Sequence, residues 1–261
     1  MIRFCSLGSG SAGNATLVEA SQGITQTRLL IDAGFSEREL LRRLARAGCE
    51  PRELDAIFIT HEHGDHVGCA LAFAQRHGLR LITSRGSWRA MGSERLPREQ
   101  LHLVAAGETL AWGDLVLQPF AVPHDAQEPL QLVLHDGQRR LGIVTDLGCA
   151  PDGVAQALAG CSALLLECNH DEDLLRQGPY PASLKRRILG SHGHLSNAAA
   201  ADLLARCRHD GLRDVVGAHL SERNNTPALA RHALATVLGG SAQDIPVADP
   251  REGLNWISVG G

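Results

Sequence analysis

Short apolar segments alternate along the chain with segments whose apolar residues recur at helical spacing. The apolar segments have the length of single β-strands, and turn-forming residues such as glycine, proline and aspartate separate them. The pattern predicts eleven strands, at residues 3–7, 15–20, 28–31, 55–60, 79–83, 115–122, 130–135, 140–145, 163–167, 214–218 and 254–259. Asp136-Gly137 predicts a hairpin turn between two of these strands.

Three helices are marked by capping residues. Ser36-x-x-Glu39 has the form of a capping box, and Gly48 marks the end of the apolar pattern that follows it. Two further helices are predicted after Ser196-Asn197, ending near residue 211, and after Thr226-Pro227.

Strands interleaved with helices fit either a doubly wound sheet or a sandwich of two sheets with helices outside. The hairpin-rich middle of the chain favours the sandwich. Because no long Pro/Gly/Ser-rich linker divides the sequence, we expect one domain over residues 1–261.

The composition is that of a folded globular protein. Of the 261 residues, 44% are hydrophobic and 21% are charged, which argues against disorder. The seven cysteines are scattered without a C-x-x-C pair, so neither a disulfide framework nor a zinc ribbon is indicated. The sequence contains no apolar run long enough for a membrane span, and its first residues lack a signal-peptide pattern. We therefore expect a cytoplasmic protein without a membrane partner.

The net charge of −4 argues against a protein that grips nucleic acid with its whole surface. Aromatic residues make up only 3% of the chain, which disfavours base-stacking platforms. Local basic patches remain, however, around Arg85 and Arg89 and at Lys185-Arg186-Arg187. Such runs are typical of solvated helix faces as well as of contacts to a nucleic-acid backbone.

A glycine-rich segment runs from Leu7 to Asn14 and contains Gly8, Gly10 and Gly13. The segment after it has the pattern of a strand, whereas a dinucleotide-binding fingerprint requires a helix there. Two interpretations remain open, a tight turn between strands and a loop that lines a site.

Histidine and aspartate are concentrated in one loop, at residues 60–66. The loop reads Thr-His-Glu-His-Gly-Asp-His and follows an apolar strand. Imidazole and carboxylate groups so close together are the ligands of a divalent metal such as zinc, manganese or iron. The loop therefore predicts a metal site.

The remaining ligands should come from other strand ends that meet at the same sheet edge. Asp32, His124, Asp146 and His219 each follow a predicted strand. A single strand-end histidine is often structural, but the repeated placement favours metal ligation.

The pattern H-x-H-x-D-H, with Asp32 before it and His124, Asp146 and His219 behind it, resembles the metallo-β-lactamase superfamily over essentially the whole chain. The resemblance implies an α/β (α+β) fold, a four-layer αββα sandwich, with two divalent ions (Zn, Mn or Fe) at one sheet edge. It implies that His61, His63 and His124 hold one ion, that Asp65, His66 and His219 hold the other, and that Asp146 bridges them. Asp32 would orient ligands through hydrogen bonds.

Motifs outside the ligand set resemble the YycJ/WalJ group of small phosphodiesterases in this superfamily. They lie at residues 7–14, 124–129, 166–171, 193–197 and 219–225. The resemblance implies a metal-dependent 5′-to-3′ DNA exonuclease. Alternatives are a hydrolase of small cyclic phosphodiesters, of the phosphoribosyl cyclic phosphate type, a thioester hydrolase, and a non-catalytic metal-binding sensor.

For the reaction we expect attack on phosphorus by a hydroxide that bridges the metals, with Asp65 orienting it. His194 would contact the phosphate or the leaving group, beside the cap of a predicted helix. The substrate would be DNA or another phosphodiester, and no obligate protein partner is indicated. Further candidate substrate contacts are Ser9, Asn14, His170, Ser196, Asn197, Lys185 and Arg186.

Overall fold

The computed structural model describes residues 1–92 and 96–261. Thirteen strands lie in these described residues: β1 (Ile2–Gly8), β2 (Ala15–Gln22), β3 (Thr25–Ile31), β4 (Ala56–Phe58), β5 (Arg80–Ser84), β6 (Leu101–Val104), β7 (Leu110–Trp112), β8 (Leu115–Ala121), β9 (Leu130–His135), β10 (Arg140–Val144), β11 (Ala163–Glu167), β12 (Asp214–Ala218) and β13 (Leu254–Ser258).

The helices are α1 (Glu37–Arg46), α2 (Gly64–Val67), α3 (Ala70–His77), α4 (Arg85–Ala90), α5 (Asp152–Leu158), α6 (Glu172–Gln177), α7 (Ala182–Ile188), α8 (Asn197–Cys207) and α9 (Pro227–Leu238). Short 3₁₀ turns occur at Pro51–Glu53, Arg98–Gln100 and Ala242–Asp244. None of the helices in the described ranges is both long and apolar enough to cross a membrane.

The strands form two sheets, in the orders β13-β1-β2-β3-β4-β5-β6 and β12-β11-β10-β9-β8-β7. One buried cluster joins the facing sides of the two sheets, with Phe4 and Phe58 from the first and Leu132 and Leu165 from the second. Apolar side chains must be removed from water on the outer faces too, and helices cover both. Helices α1 and α3 cover the first sheet, and α5, α8 and α9 cover the second. The predicted four-layer sandwich is therefore confirmed.

The ends of parallel strands place polar residues at one edge. Strands β3, β4 and β5 are parallel neighbours, as are β10, β11 and β12. Among the described residues, three that are not glycine have left-handed backbone conformations: Asp32 (φ 60°), Asp146 (φ 55°) and His219 (φ 55°). All three lie just past the ends of these strands. This conformation costs about 1–3 kcal/mol in such residues, and it is concentrated at functional sites.

All eleven predicted strands are present, with ends displaced by no more than about three residues, within the usual uncertainty of element boundaries. The prediction missed β6 and β7, which lie at the two sheet edges. Both are short and mostly half-buried, so they lack the continuous apolar pattern of the inner strands. The expectation of a single domain stays a prediction.

Of the two hydrogen bonds in the predicted capping box, one forms and the other does not. Ser36 accepts a hydrogen bond from the Glu39 amide at 3.4 Å, but the Glu39 carboxylate binds Arg42 and Arg43 instead of returning to the cap. The predicted end at Gly48 (φ 71°) is confirmed. The caps of α8 and α9 are confirmed as well, because Ser196 and Thr226 each accept from an amide three residues later.

Candidate metal centre

The loop between β4 and α2 carries the histidine cluster into the interior. His61 and His66 are fully buried, while His63 is partly exposed. The Nε2 atom of His61 is buried without a hydrogen-bond partner. Leaving such an atom unpaired is costly, and binding a cation would satisfy it.

Three imidazoles form the first cluster. The ligand atoms of His61, His63 and His124 all lie within 4.8 Å of one another. His124 Nδ1 lies 3.0 Å from the Gly193 carbonyl, so this nitrogen carries the proton and Nε2 faces the cluster. Burial lowers the pKa of His61 and of His124, which keeps both rings neutral, as metal ligands must be.

Asp65, His66 and His219 form the second cluster, also within 4.8 Å. The Asp65 Oδ2 atom lies 3.6 Å from His66 Nε2 and 3.7 Å from His219 Nε2. A carboxylate and two imidazoles provide the mixed donors that borderline divalent metals accept.

Asp146 lies between the clusters and is almost fully buried. Its carboxylate oxygens lie 3.0 Å from His66 Nε2 and 2.9 Å from His219 Nδ1. Burial alone would raise the pKa of Asp146, but the two histidines hold it well below its usual range. Burial likewise works against a charged His66, yet Asp146 and Asp32 raise its pKa to about 10. Carboxylates that stabilise an imidazolium also stabilise a bound cation.

Asp32 supports the loop from the end of β3. Its carboxylate accepts from the Thr60 amide at 2.9 Å and from the Thr60 hydroxyl at 2.9 Å. Asp32 Oδ2 also lies 2.7 Å from His66 Nδ1. This contact fixes the ring so that its other nitrogen faces Asp65 and Asp146, which is the role that the sequence predicts for Asp32.

The glycine-rich loop after β1 lines the centre, so the second of its two interpretations fits. Ser9 Oγ accepts from the His219 amide at 2.9 Å. Asn14 Nδ2 lies 3.1 Å from His66 Nε2 and 3.3 Å from Asp65 Oδ2. Nearby, a Cβ atom on Gly34 would overlap the Asp65 carbonyl, so only glycine allows these backbones to approach so closely.

Glu167 is a residue that the sequence analysis missed. It ends β11, is fully buried, and accepts from His194 Nδ1 at 2.8 Å. Its other oxygen accepts from the amides of Leu147 at 3.0 Å and Leu195 at 3.2 Å. Despite burial, His194 lowers the pKa of Glu167 to about 2, and Glu167 raises the pKa of His194. An acid that ends an apolar strand was the signal that could have identified it.

A cavity of about 230 Å³ opens over the centre. Asp65, Asp146 and His194 line one side, and residues in and just before α7 line the other, among them Tyr180 and Arg187. Arg187 Nε donates to Asp125 Oδ2 at 2.6 Å. Tyr180, the only tyrosine of the chain, was not predicted as a site residue.

Several predicted substrate contacts lie away from this cavity. Lys185 Nζ donates to the Arg176 carbonyl at 2.6 Å, and Arg186 is exposed outside the cavity lining. His170 is buried, and burial lowers its pKa to about 4. Ser196 caps α8, and Asn197 pairs with Asn225 through two 2.9 Å hydrogen bonds. Lys185, Ser196 and Asn197 thus have hydrogen-bond partners within the protein, and substrate contact by any of the five residues stays a prediction.

Residues 27–220 match the family described as a beta-lactamase superfamily domain. The chain is 34% identical over 258 residues to exodeoxyribonuclease YycJ of Bacillus anthracis, covering 96% of each chain. It is 33% identical over 240 residues to exodeoxyribonuclease WalJ of Streptococcus pneumoniae, covering 90% of this chain and 88% of the relative. The crystal structure of the metallo-beta-lactamase fold protein YhfI of Bacillus subtilis superposes with a TM-score of 0.74 at 17% identity, covering 98% of each chain. The histidine and aspartate clusters thus lie in a metallo-β-lactamase fold, and the two findings together indicate that the chain binds divalent metal.

Proposed function

The chain belongs to the β-lactamase superfamily, and from this premise we propose that it is a metal-dependent hydrolase of phosphodiester bonds, an exonuclease acting on DNA. The two relatives named exodeoxyribonucleases support the substrate class. The observation that carries the proposal is the pair of ligand clusters joined by Asp146 at the floor of the cavity. The 5′-to-3′ direction, expected from the resemblance, stays a prediction.

Two divalent ions fit the residues present. His61, His63 and His124 would hold one, Asp65, His66 and His219 the other, and Asp146 would contact both. The unpaired Nε2 of His61 supports this assignment. When bound, such ions supply the Lewis acidity that activates water and neutralises charge on phosphate oxygens. Zinc, manganese and iron all match this mixture of imidazole and carboxylate.

His194 is placed to deliver a proton to the leaving group. Its Nδ1–H is held by Glu167 at 2.8 Å, which leaves Nε2 for the cavity that the side chain lines. A buried carboxylate that accepts a hydrogen bond from one ring nitrogen keeps a histidine in one tautomer. Its negative charge also stabilises the protonated ring. We assign His194 the transfer of a proton to the departing oxygen and Glu167 the positioning of His194.

Tyr180 and Arg187 are suited to hold a nucleotide against the opposite wall. An aromatic ring provides a surface on which a base of any sequence can stack, and a guanidinium binds phosphate. Arg187 is already oriented by Asp125, which follows His124. Tyr180, just before α7, and Arg187, on α7, replace Lys185 and Arg186 as the proposed substrate contacts.

The seven cysteines of the described structure are all free. This agrees with a reducing compartment, so a cytoplasmic location is part of the proposal.

Replacing Asp65 with Asn tests the metal assignment. The amide loses the charge that the second cluster supplies, so we expect loss of about one bound ion and a fall in turnover of about 10³-fold or more. Asp173 is an exposed residue of α6, so Asp173→Asn is the matched control. It should leave the number of bound ions and the turnover unchanged. Wild-type turnover by Asp65→Asn would show that the proposed mechanism is wrong.

A further inference from the structure

A second cavity of about 490 Å³ opens beside the catalytic one, and Ser221 lines both. It is enclosed by the segment after β12, by the start of α9 and by residues 247–251. The glycine-rich loop lies close by, because a Cβ on Gly10 would lie 3.4 Å from Pro250 and 3.5 Å from the Leu220 carbonyl. The second cavity is thus a neighbour of the catalytic one, with Ser221 between them.

One part of its lining is apolar, with Leu220, Pro227, Val247 and Pro250. Such a surface can pack against the flat face of a base. A cavity of this size is within the usual range for small-molecule sites, about 300–1,000 Å³.

In the part of the chain that the structure describes, neither of the two arginines in the lining forms an ion pair. There, the hydrogen bond of the Arg231 side chain runs from its Nε atom to the Ile245 carbonyl at 3.0 Å. Across residues 1–92 and 96–261, Arg251 forms no side-chain hydrogen bond or ion pair. Two acids, Glu222 and Asp249, also line the cavity, but in the described residues neither forms an ion pair with Arg231 or Arg251. The Asp249 Oδ1 atom accepts instead from the amides of Arg251 and Glu252, at 2.7 and 2.8 Å.

We propose that the second cavity binds the neighbouring nucleotide of a DNA strand whose scissile phosphate lies in the catalytic cavity. The inference rests on the proposed function. Arginines without carboxylate partners bind phosphate through charge-assisted hydrogen bonds, and the apolar wall covers the base. The strand would pass from one cavity to the other over Ser221, which lines both. A substrate that is a chain of nucleotides therefore gains contacts that a small phosphodiester lacks.

The test compares Arg231→Gln and Arg251→Gln with the control Arg213→Gln. Arg213 is exposed and precedes β12, at the opposite end of the strand from His219. For the metal-loaded protein, we expect each cavity variant to raise the KM for single-stranded oligothymidylate about tenfold, with turnover of bis(p-nitrophenyl) phosphate unchanged. The slope of log Kd against log salt should fall by about one. Arg251→Gln guards against a folding defect, because in the described residues the Arg251 side chain forms no hydrogen bond or ion pair that the substitution would remove.

A binding arm separates the cavity from the catalytic proposal. Fluorescence anisotropy of labelled oligothymidylate is measured with chelator-treated full-length protein, where no hydrolysis occurs. Weaker binding of the oligonucleotide by both variants supports nucleotide binding in the second cavity, even if the wild type proves inactive on DNA. If KM and Kd are unchanged in both variants, the second cavity does not bind the neighbouring nucleotide. The proposed function still stands in that case if the wild type degrades DNA. Loss of thymidine monophosphate binding without loss of oligonucleotide binding also overturns the proposed role of the second cavity, since the cavity would then be an effector site.

Discussion

Replacing Glu167 with Gln changes one charge and almost no volume at the back of the centre. The carboxylate currently accepts three hydrogen bonds, from His194 Nδ1 and from the amides of Leu147 and Leu195. A glutamine has one acceptor oxygen and one amide nitrogen. The oxygen can still satisfy both backbone amides, which turns the NH₂ group towards His194. Two donors would then face each other, and His194 must change tautomer or rotate away.

The magnitude follows from the bond that is lost. A hydrogen bond to a charged group contributes about 1.5–3 kcal/mol. If this hydrogen bond stabilises the transition state through His194, its removal corresponds to a kcat that is about 10- to 150-fold lower. The KM should remain close to the wild-type value, because Glu167 is buried and does not reach the cavity. The two backbone hydrogen bonds are retained, so the free energy of unfolding should fall by no more than the contribution of the one lost bond, about 1.5–3 kcal/mol.

Steady-state degradation of end-labelled single-stranded DNA gives kcat and KM separately, and elemental analysis gives the metal content. Glu99→Gln, on an exposed 3₁₀ turn, is the matched control. A kcat within about twofold of the wild type, with full metal content, would refute the positioning role of Glu167. A fall in kcat that accompanies loss of metal would assign Glu167 to metal binding instead.

Three further predictions address the cavity wall, the loop packing and acid stability. Tyr180→Ala should raise the KM for single-stranded DNA about 5- to 150-fold, since base stacking contributes about 1–3 kcal/mol. Tyr180→Phe keeps the ring and should behave as wild type. An equal rise in KM in both variants would exclude stacking. Gly34→Ala should lower metal content and thermal stability together, because its Cβ would overlap the Asp65 carbonyl, whereas Gly153→Ala, in open space on α5, should be neutral or slightly stabilising by calorimetry. Glu19 is buried, which alone would raise its pKa, but two arginines hold the pKa below its usual range. Ionised Glu19 therefore adds about 1–3 kcal/mol to the free energy of unfolding at pH 7. This stability is lost as the pH falls through the lowered pKa. Urea unfolding should show Glu19→Gln less stable than wild type at neutral pH and equal to it in acid; a constant difference would contradict this.

The sequence predicts which histidines and aspartates gather at this edge of the sheets, because two signals coincide there. Strands that are buried on both faces have continuous apolar patterns, so their ends are easy to locate. Imidazole and carboxylate groups immediately after such strands have few roles other than ligation. The structure accordingly brings His124, Asp146 and His219 to the loop that holds His61 and Asp65.

Residues on the opposite wall could not be predicted in this way. Tyr180 and Arg187 reach the cavity because α7 packs across the strand ends, and local pattern does not determine where a short helix packs. Lys185 and Arg186 belong to the same charge run as Arg187, but helical rotation places them elsewhere. Glu167 was missed because an acid at the end of a strand is equally typical of a solvent-exposed turn.

The proposed function requires the two ligand clusters to form one dinuclear centre that cleaves a DNA strand. The most direct measurement uses one metal-reconstituted preparation, with its metal content determined, against end-labelled single-stranded DNA, RNA, a cyclic phosphodiester and a thioester. We predict about two divalent ions per chain and progressive release of nucleotides from one end of the DNA. Inert DNA in a preparation that hydrolyses the cyclic phosphodiester or the thioester would show that the protein is not a DNA exonuclease, and bound metal without turnover of any substrate would indicate a sensor.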